Sequence, residues 1–215
     1  MKNATWLVFL FFLSFPPAMA QKLNSILSRS NLSFSYGVSN DFRSYDPIPR
    51  DYYFEMRSWG QGLGFEYLYK PAGKNEFGFG FSKQMNSEDY TSVKQTPTAV
   101  VIFEDYRIRK SKNFHYLVFK RHFIEEKLIG SAGLYTLLYR SPSIAINWEN
   151  LDRTVILLDD APISSDFGAF VGLEYNHSLR ENFQVGLRTR LFYTNGYAEP
   201  FESFEFTPVL RFRLK

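Results

Sequence analysis

Residues 32–215 predict an all-β fold: a closed, antiparallel, up-and-down transmembrane β-barrel of eight strands, with ten as the alternative. Three observations carry that prediction. Segment after segment alternates apolar and polar residues with the strand period of two. Aromatic residues make up 19% of the chain, with 23 Phe and 14 Tyr, yet the mean hydropathy is −0.26. A barrel strand explains both, because its polar half hides its apolar half in any average. Finally, the chain opens on an export signal, and nothing after residue 20 approaches the run of about 20 apolar residues that a spanning helix needs.

The export signal is "MKNATWLVFLFFLSFPPAMA". Lys2 precedes an apolar run from Ala4 to Phe15, Pro16-Pro17 breaks it, and Ala18-Met19-Ala20 supplies the small-x-small pattern of a cleavage site. Cleavage before Gln21 leaves residues 21–215 as one domain. The chain has no cysteine, which excludes a lipid-modified Cys, a disulfide and a thiolate metal site. Lys and Arg total 25 against 22 Asp and Glu. Without Lys2 the balance is 24 against 22, or +2, which favours neither nucleic acid nor an acidic partner.

The strands follow in order. "LSFSYGV" sets Leu32, Phe34, Tyr36 and Val38 against Ser33, Ser35 and Gly37. "GLGFEYLY" sets Leu63, Phe65, Tyr67 and Tyr69 against Gly62, Gly64, Glu66 and Leu68. After the turn "KPAGKN", "EFGFGFS" sets Phe77, Phe79 and Phe81 against Gly78, Gly80 and Ser82. In "DFGAFVGLEYN", Phe167, Ala169, Val171, Leu173 and Tyr175 face outward, with Gly168, Phe170, Gly172, Glu174 and Asn176 inward. "FQVGLRTRLFY" turns Arg188, Arg190 and Phe192 inward, with Gln184 and Gly186. "FEFTPVLRFRLK" closes the chain with Phe204, Phe206, Leu210, Phe212 and Leu214 outward and Glu205, Thr207, Val209, Arg211 and Arg213 inward. Pro208 removes one ladder hydrogen bond, which suits a bulge or a less regular seam.

Alternation alone also fits a soluble sandwich, in which the same Phe and Leu residues would fill a shared core. Connection lengths favour the barrel. Short turns such as "PAGKN" and "SLREN" alternate with long connections at roughly 40–59, 83–113, 141–165 and 194–203. Bacterial barrels join short periplasmic turns to longer outer loops in this way. The runs 114–123 and 127–139 complete an even strand count. The charged run 99–109 then belongs to a long outer loop, as a strand extending above the membrane. The ten-strand alternative recruits 143–148 or 153–158.

With its "AMA" cleavage site, its Gly-rich inner faces and its closing strand "FEFTPVLRFRL", the chain resembles the small outer-membrane β-barrel proteins of Gram-negative bacteria, the porin-like outer membrane β-barrel domain family. The resemblance covers about Leu32 to Lys215. It implies the cell outer membrane as location and outer-membrane lipid as surroundings. It also implies the barrel-assembly machinery as a partner during biogenesis, through an amphipathic closing strand. Such strands usually end in an aromatic residue; here Phe212 and Leu214 are followed by Lys215.

The inward charges are the candidate site: Glu66, Glu174, Arg188, Arg190, Glu205, Arg211 and Arg213. Arg188 and Arg190 have Glu174 on one flank and Glu205 on the other, in the geometry of bidentate pairing. These charges either line a narrow channel or plug the lumen. An eight-stranded interior is just wide enough for side chains to fill, which favours the plug. Tyr67, Tyr69, Tyr139, Tyr175 and Tyr193 suit interfacial girdles. The loop 40–59 mixes charge with Tyr, Phe and Trp and is the candidate contact for an extracellular ligand.

An enzymatic alternative, a barrel that modifies lipid A, rests on His177 beside Ser178, which fall in a periplasmic turn. His115 and His122 lie seven apart, hence on opposite faces of one strand. None has the partners that acid–base catalysis needs. Gly62-x-Gly64 and Gly78-x-Gly80 lack the rest of any nucleotide motif. No catalytic residue, cofactor or metal is therefore expected. The expected function is a structural or surface-interaction role, with a monomeric barrel and a filled lumen; a narrow solute channel is the alternative.

Overall fold

The computed structural model describes residues 25–42, 59–71, 73–95, 100–124, 127–140, 143–146, 155–158, 163–194 and 200–214. The expected signal peptide and most of the loop 40–59 lie outside them. Among the described residues ten strands run in chain order: β1 (Ser30–Asp41), β2 (Trp59–Tyr69), β3 (Asn75–Gln95), β4 (Val100–Ile124), β5 (Leu128–Arg140), β6 (Ser143–Ile146), β7 (Val155–Leu158), β8 (Ser164–Arg180), β9 (Phe183–Thr194) and β10 (Phe201–Arg213). Eight of them close a barrel in the order β1-β10-β9-β8-β5-β4-β3-β2, every pair antiparallel. Closure leaves the wall without an edge, the only way a sheet can cross lipid. The ten-stranded alternative is corrected: β6 and β7 pair with each other and stay out of the wall.

The expected 83–113 connection is also corrected. β3 and β4 are continuous through it and pair from Asn75↔Arg121 up to Gln95↔Val100. β2 pairs with β3 only as far as Asn86, and β5 with β4 only as far as Ser111. Beyond those points the two strands rise alone as a ribbon of roughly 25–30 Å, at about 3.4 Å per residue. Residues 100–109 thus do form a strand above the membrane, as expected, but as the upper part of the wall strand β4.

Alternation sorts the wall as expected. Phe167, Val171 and Leu173 on β8 are more than half exposed, whereas Phe170 and Glu174, of the opposite parity to Val171 and Leu173, are buried. A soluble protein of this size does not leave so many Phe and Leu side chains bare while burying Lys and Arg. Hydrocarbon is the solvent that makes this arrangement stable.

Inward glycines face large inward residues on the next strand. Gly80 pairs with Tyr116, Gly133 with Phe170, Gly168 with Tyr135 and Gly172 with Arg190. A Cβ at Gly80 would run into the Tyr116 ring, and one at Gly133 into Phe170. Each glycine makes room for a side chain that crosses the axis. Pro208 sits at the closing seam. There β1 and β10 pair at Ser35↔Val209 and resume at Val38↔Phe206. Gly37 occupies that gap, and a Cβ on it would meet the Pro208 ring at 3.1 Å.

Candidate functional site

Glu174 and Arg188 lie directly opposite each other on β8 and β9. Arg188 donates through Nε to Glu174 at 2.8 Å and through Nη2 to Glu66 at 2.8 Å and Ser33 at 2.9 Å. Arg190 donates to the other Glu66 oxygen and, at 2.7 Å, to the Tyr116 hydroxyl. Lys120 sits 2.7 Å from Glu174 and 2.9 Å from Glu66. All five charged groups are essentially sealed from water. β2, β4, β8 and β9 contribute, so the network ties opposite walls together across the axis.

Four sequence candidates, Glu66, Glu174, Arg188 and Arg190, therefore meet in one network. Arg211 stands beside it, bonded to Glu76 and 3.9 Å from Glu174. Glu205 stays apart. It is level with Arg190 on the neighbouring strand, but Arg190 reaches across the lumen to Glu66 instead. Glu205 accepts from Ser82 at 2.5 Å and Gln84 at 2.9 Å. Arg213 is exposed at the turn end of the barrel.

Sequence reasoning missed Lys120, Tyr116, Glu76 and His122. Glu76 was findable, since its parity on β3 matches Gly78 and Gly80. β4 gave no such signal, because "FHYLVFKRHF" carries aromatics and a cation on both faces. A second ion cluster was also missed at the loop end. There Lys112 bridges Asp41 at 2.5 Å and Glu202 at 2.7 Å. At the turn end His122 Nε2 lies 3.0 Å from Glu76.

Between the ion clusters lies an aromatic layer. Phe114 and Phe192 have ring centroids 4.4 Å apart, and Tyr135 meets both edge-on at 5.2 and 5.5 Å. Phe170 continues the layer towards Tyr116 at 5.2 Å. The Arg190 guanidinium lies over the Tyr116 and Phe170 rings at 4.9 and 5.0 Å, so one residue joins the ionic and aromatic layers.

His177 and Ser178 require a correction. They belong to β8, and the turn is Glu181-Asn182. As successive strand residues they point to opposite sides. Ser178 accepts from Gln184 at 3.3 Å, and His177 is exposed on the outer face. Tyr139 is corrected too: it packs against the lumen's aromatic cluster and not in an outer girdle. Tyr175 and Tyr193 are outward and exposed, near opposite ends of the wall, and Tyr67 is outward and bonded to Ser30 at 2.7 Å.

No protein-family model and no curated protein sequence matches the chain. Several solved structures do. One is Ail, the attachment invasion locus protein of Yersinia pestis, in complex with the heparin analogue sucrose octasulfate. It is 11% identical over 85% of this chain and 97% of that chain, with a TM-score of 0.46. Neisserial surface protein A is 11% identical over 86% and 97%, at 0.45. Outer membrane protein W of E. coli is 12% identical over 85% and 98%, at 0.35. By its own closed strand order and apolar outer face, the chain is a small eight-stranded antiparallel β-barrel of the membrane-spanning kind.

Proposed function

We propose that this chain is a monomeric, non-enzymatic outer-membrane protein with a plugged lumen, and that it acts as a scaffold and contact surface through its loop end. One observation carries the proposal: Lys120, Arg188 and Arg190 are locked onto Glu66 and Glu174 across the axis, beneath a layer of packed rings. An ion passing through would have to break several desolvated charge pairs at once, which costs far more than thermal energy. The ribbon of β3 and β4 supports the second half of the proposal. It lifts backbone well clear of the barrel, and among the described residues no third strand pairs with either of its edges, which suits strand addition. Outer-membrane lipid and, during biogenesis, the barrel-assembly machinery are the partners, with an extracellular ligand at the ribbon and loops. Planar-bilayer recording tests the plug. The expected trace has no unitary steps. A steady, ion-selective current would replace this proposal with the channel.

A further inference from the structure

The outer surface carries one notch that does not fit a plain lipid-facing wall. Its lining is Leu179, Arg180, Phe183 and Phe212, and its volume is about 500 Å³. A guanidinium among three large apolar groups on the membrane side needs a cause, and the β8–β9 register supplies it. Ser178 pairs with Gln184, but Arg180 pairs with Phe183, so the ladder shifts at Leu179. By simple alternation Arg180 would follow Glu174, Asn176 and Ser178 to the lumen side. The bulge re-aims it outward, beside Leu179 and level with Phe183. Phe183 stacks on Phe212 with centroids 4.9 Å apart, giving the notch a firm apolar floor. The neighbouring carboxylate, Glu181, lines the mouth of the lumen together with Arg213, on the other side of the wall. The notch therefore holds a cation at its polar edge, while Glu181, the acid next to it in the chain, lines the lumen side.

We infer that this notch binds one anionic glycerophospholipid from the leaflet on the turn side of the membrane. An acyl chain lies against Leu179, Phe183 and Phe212, and the phosphate is held by Arg180. The chemistry is complementary at both ends. The guanidinium fork matches two phosphate oxygens, and a lipid alone carries an apolar chain directly beneath such a phosphate. The inference depends on the barrel lying in lipid and not on the lumen being closed, so a conducting barrel would leave it standing.

Native mass spectrometry of the detergent-folded barrel, titrated with dioleoyl phosphatidylglycerol, tests it. Dioleoyl phosphatidylcholine is the comparison lipid, and the heat-dependent gel shift verifies folding. The wild-type barrel is expected to retain one phosphatidylglycerol in preference to phosphatidylcholine. Arg180→Gln should lower that retention about tenfold, the scale of a lost charge-assisted hydrogen bond. Arg121→Gln, which removes an exposed cation near the same rim on β4, should leave it unchanged. Retention by Arg180→Gln equal to wild type overturns the inference. So does equal retention of the two lipids, which would mean that the headgroup charge is not read, or an equal loss in the Arg121 variant, which would mean diffuse attraction to the rim.

Discussion

Glu66 and Glu205 are both buried carboxylates, yet they are not equivalent. Glu66 holds Lys120, Arg188 and Arg190, whereas Glu205 accepts from the neutral donors Ser82 and Gln84. Glu66→Gln leaves three buried cations short of charge and is expected to cost about 3–5 kcal/mol. Glu205→Gln should cost about 1 kcal/mol, the net worth of an ordinary hydrogen bond. Urea unfolding in lipid vesicles, followed by gel shift, compares them; equal losses would mean that Glu66 is solvated. Gly80→Ala is expected to cost about 1–3 kcal/mol by pushing Tyr116 from its place between Glu66 and Arg190. Tyr116→Leu in the same chain should recover part of that loss, because the two residues form one cross-strand pair. At this scale much was legible. The parity of Glu66, Glu174, Arg188 and Arg190 follows from alternation beside glycine. Their partners did not follow, because a side chain crossing the axis meets strands that are distant in the chain. Arg190 sits opposite Glu205 by register but bonds Glu66, and no local pattern encodes that choice.

Among the elements, β3 and β4 mark the boundary of what alternation can reveal. Within the membrane one face meets lipid and the other the lumen, so "EFGFGFS" sorts cleanly. Above the rim neither surrounding exists. "FEDYRIRK" has charges at both parities, which marks it as a strand above the membrane within an outer loop; its continuity with the rest of β4 emerges only from the strand pairing. β5 failed differently. "LIGSAGLYTLLY" is apolar on both faces, since Tyr135 and Leu137 belong to the aromatic plug. Hence Tyr139 could not be sorted from sequence. Independence of the ribbon gives a prediction. Replacing Asp89–Arg107 with an Asn-Gly turn should leave the unfolding midpoint within about 0.5 kcal/mol of wild type. Protease added to intact cells is expected to cut the wild type within the ribbon and to lose that cut in the variant. A barrel that no longer forms would mean that the ribbon nucleates the wall.

For the molecule as a whole, the defining feature is the exchange of inside and outside. Buried Lys120 and Arg188 stand a strand's thickness from exposed Leu117 and Leu187. Composition and connection lengths made this legible, whereas the strand order and the closing β1–β10 seam needed the structure. A chain containing the substitution Val171→Trp or Phe170→Trp tests the exchange most directly, with Trp59 and Trp148 replaced by Phe and with vesicles of lipid brominated at mid-chain. The two sites are neighbours on β8, one 59% exposed and the other 2%. Fluorescence at 171 should be strongly quenched and fluorescence at 170 spared. Quenching at 170 with 171 spared, or at neither site, would contradict a wall whose phenylalanine side faces lipid.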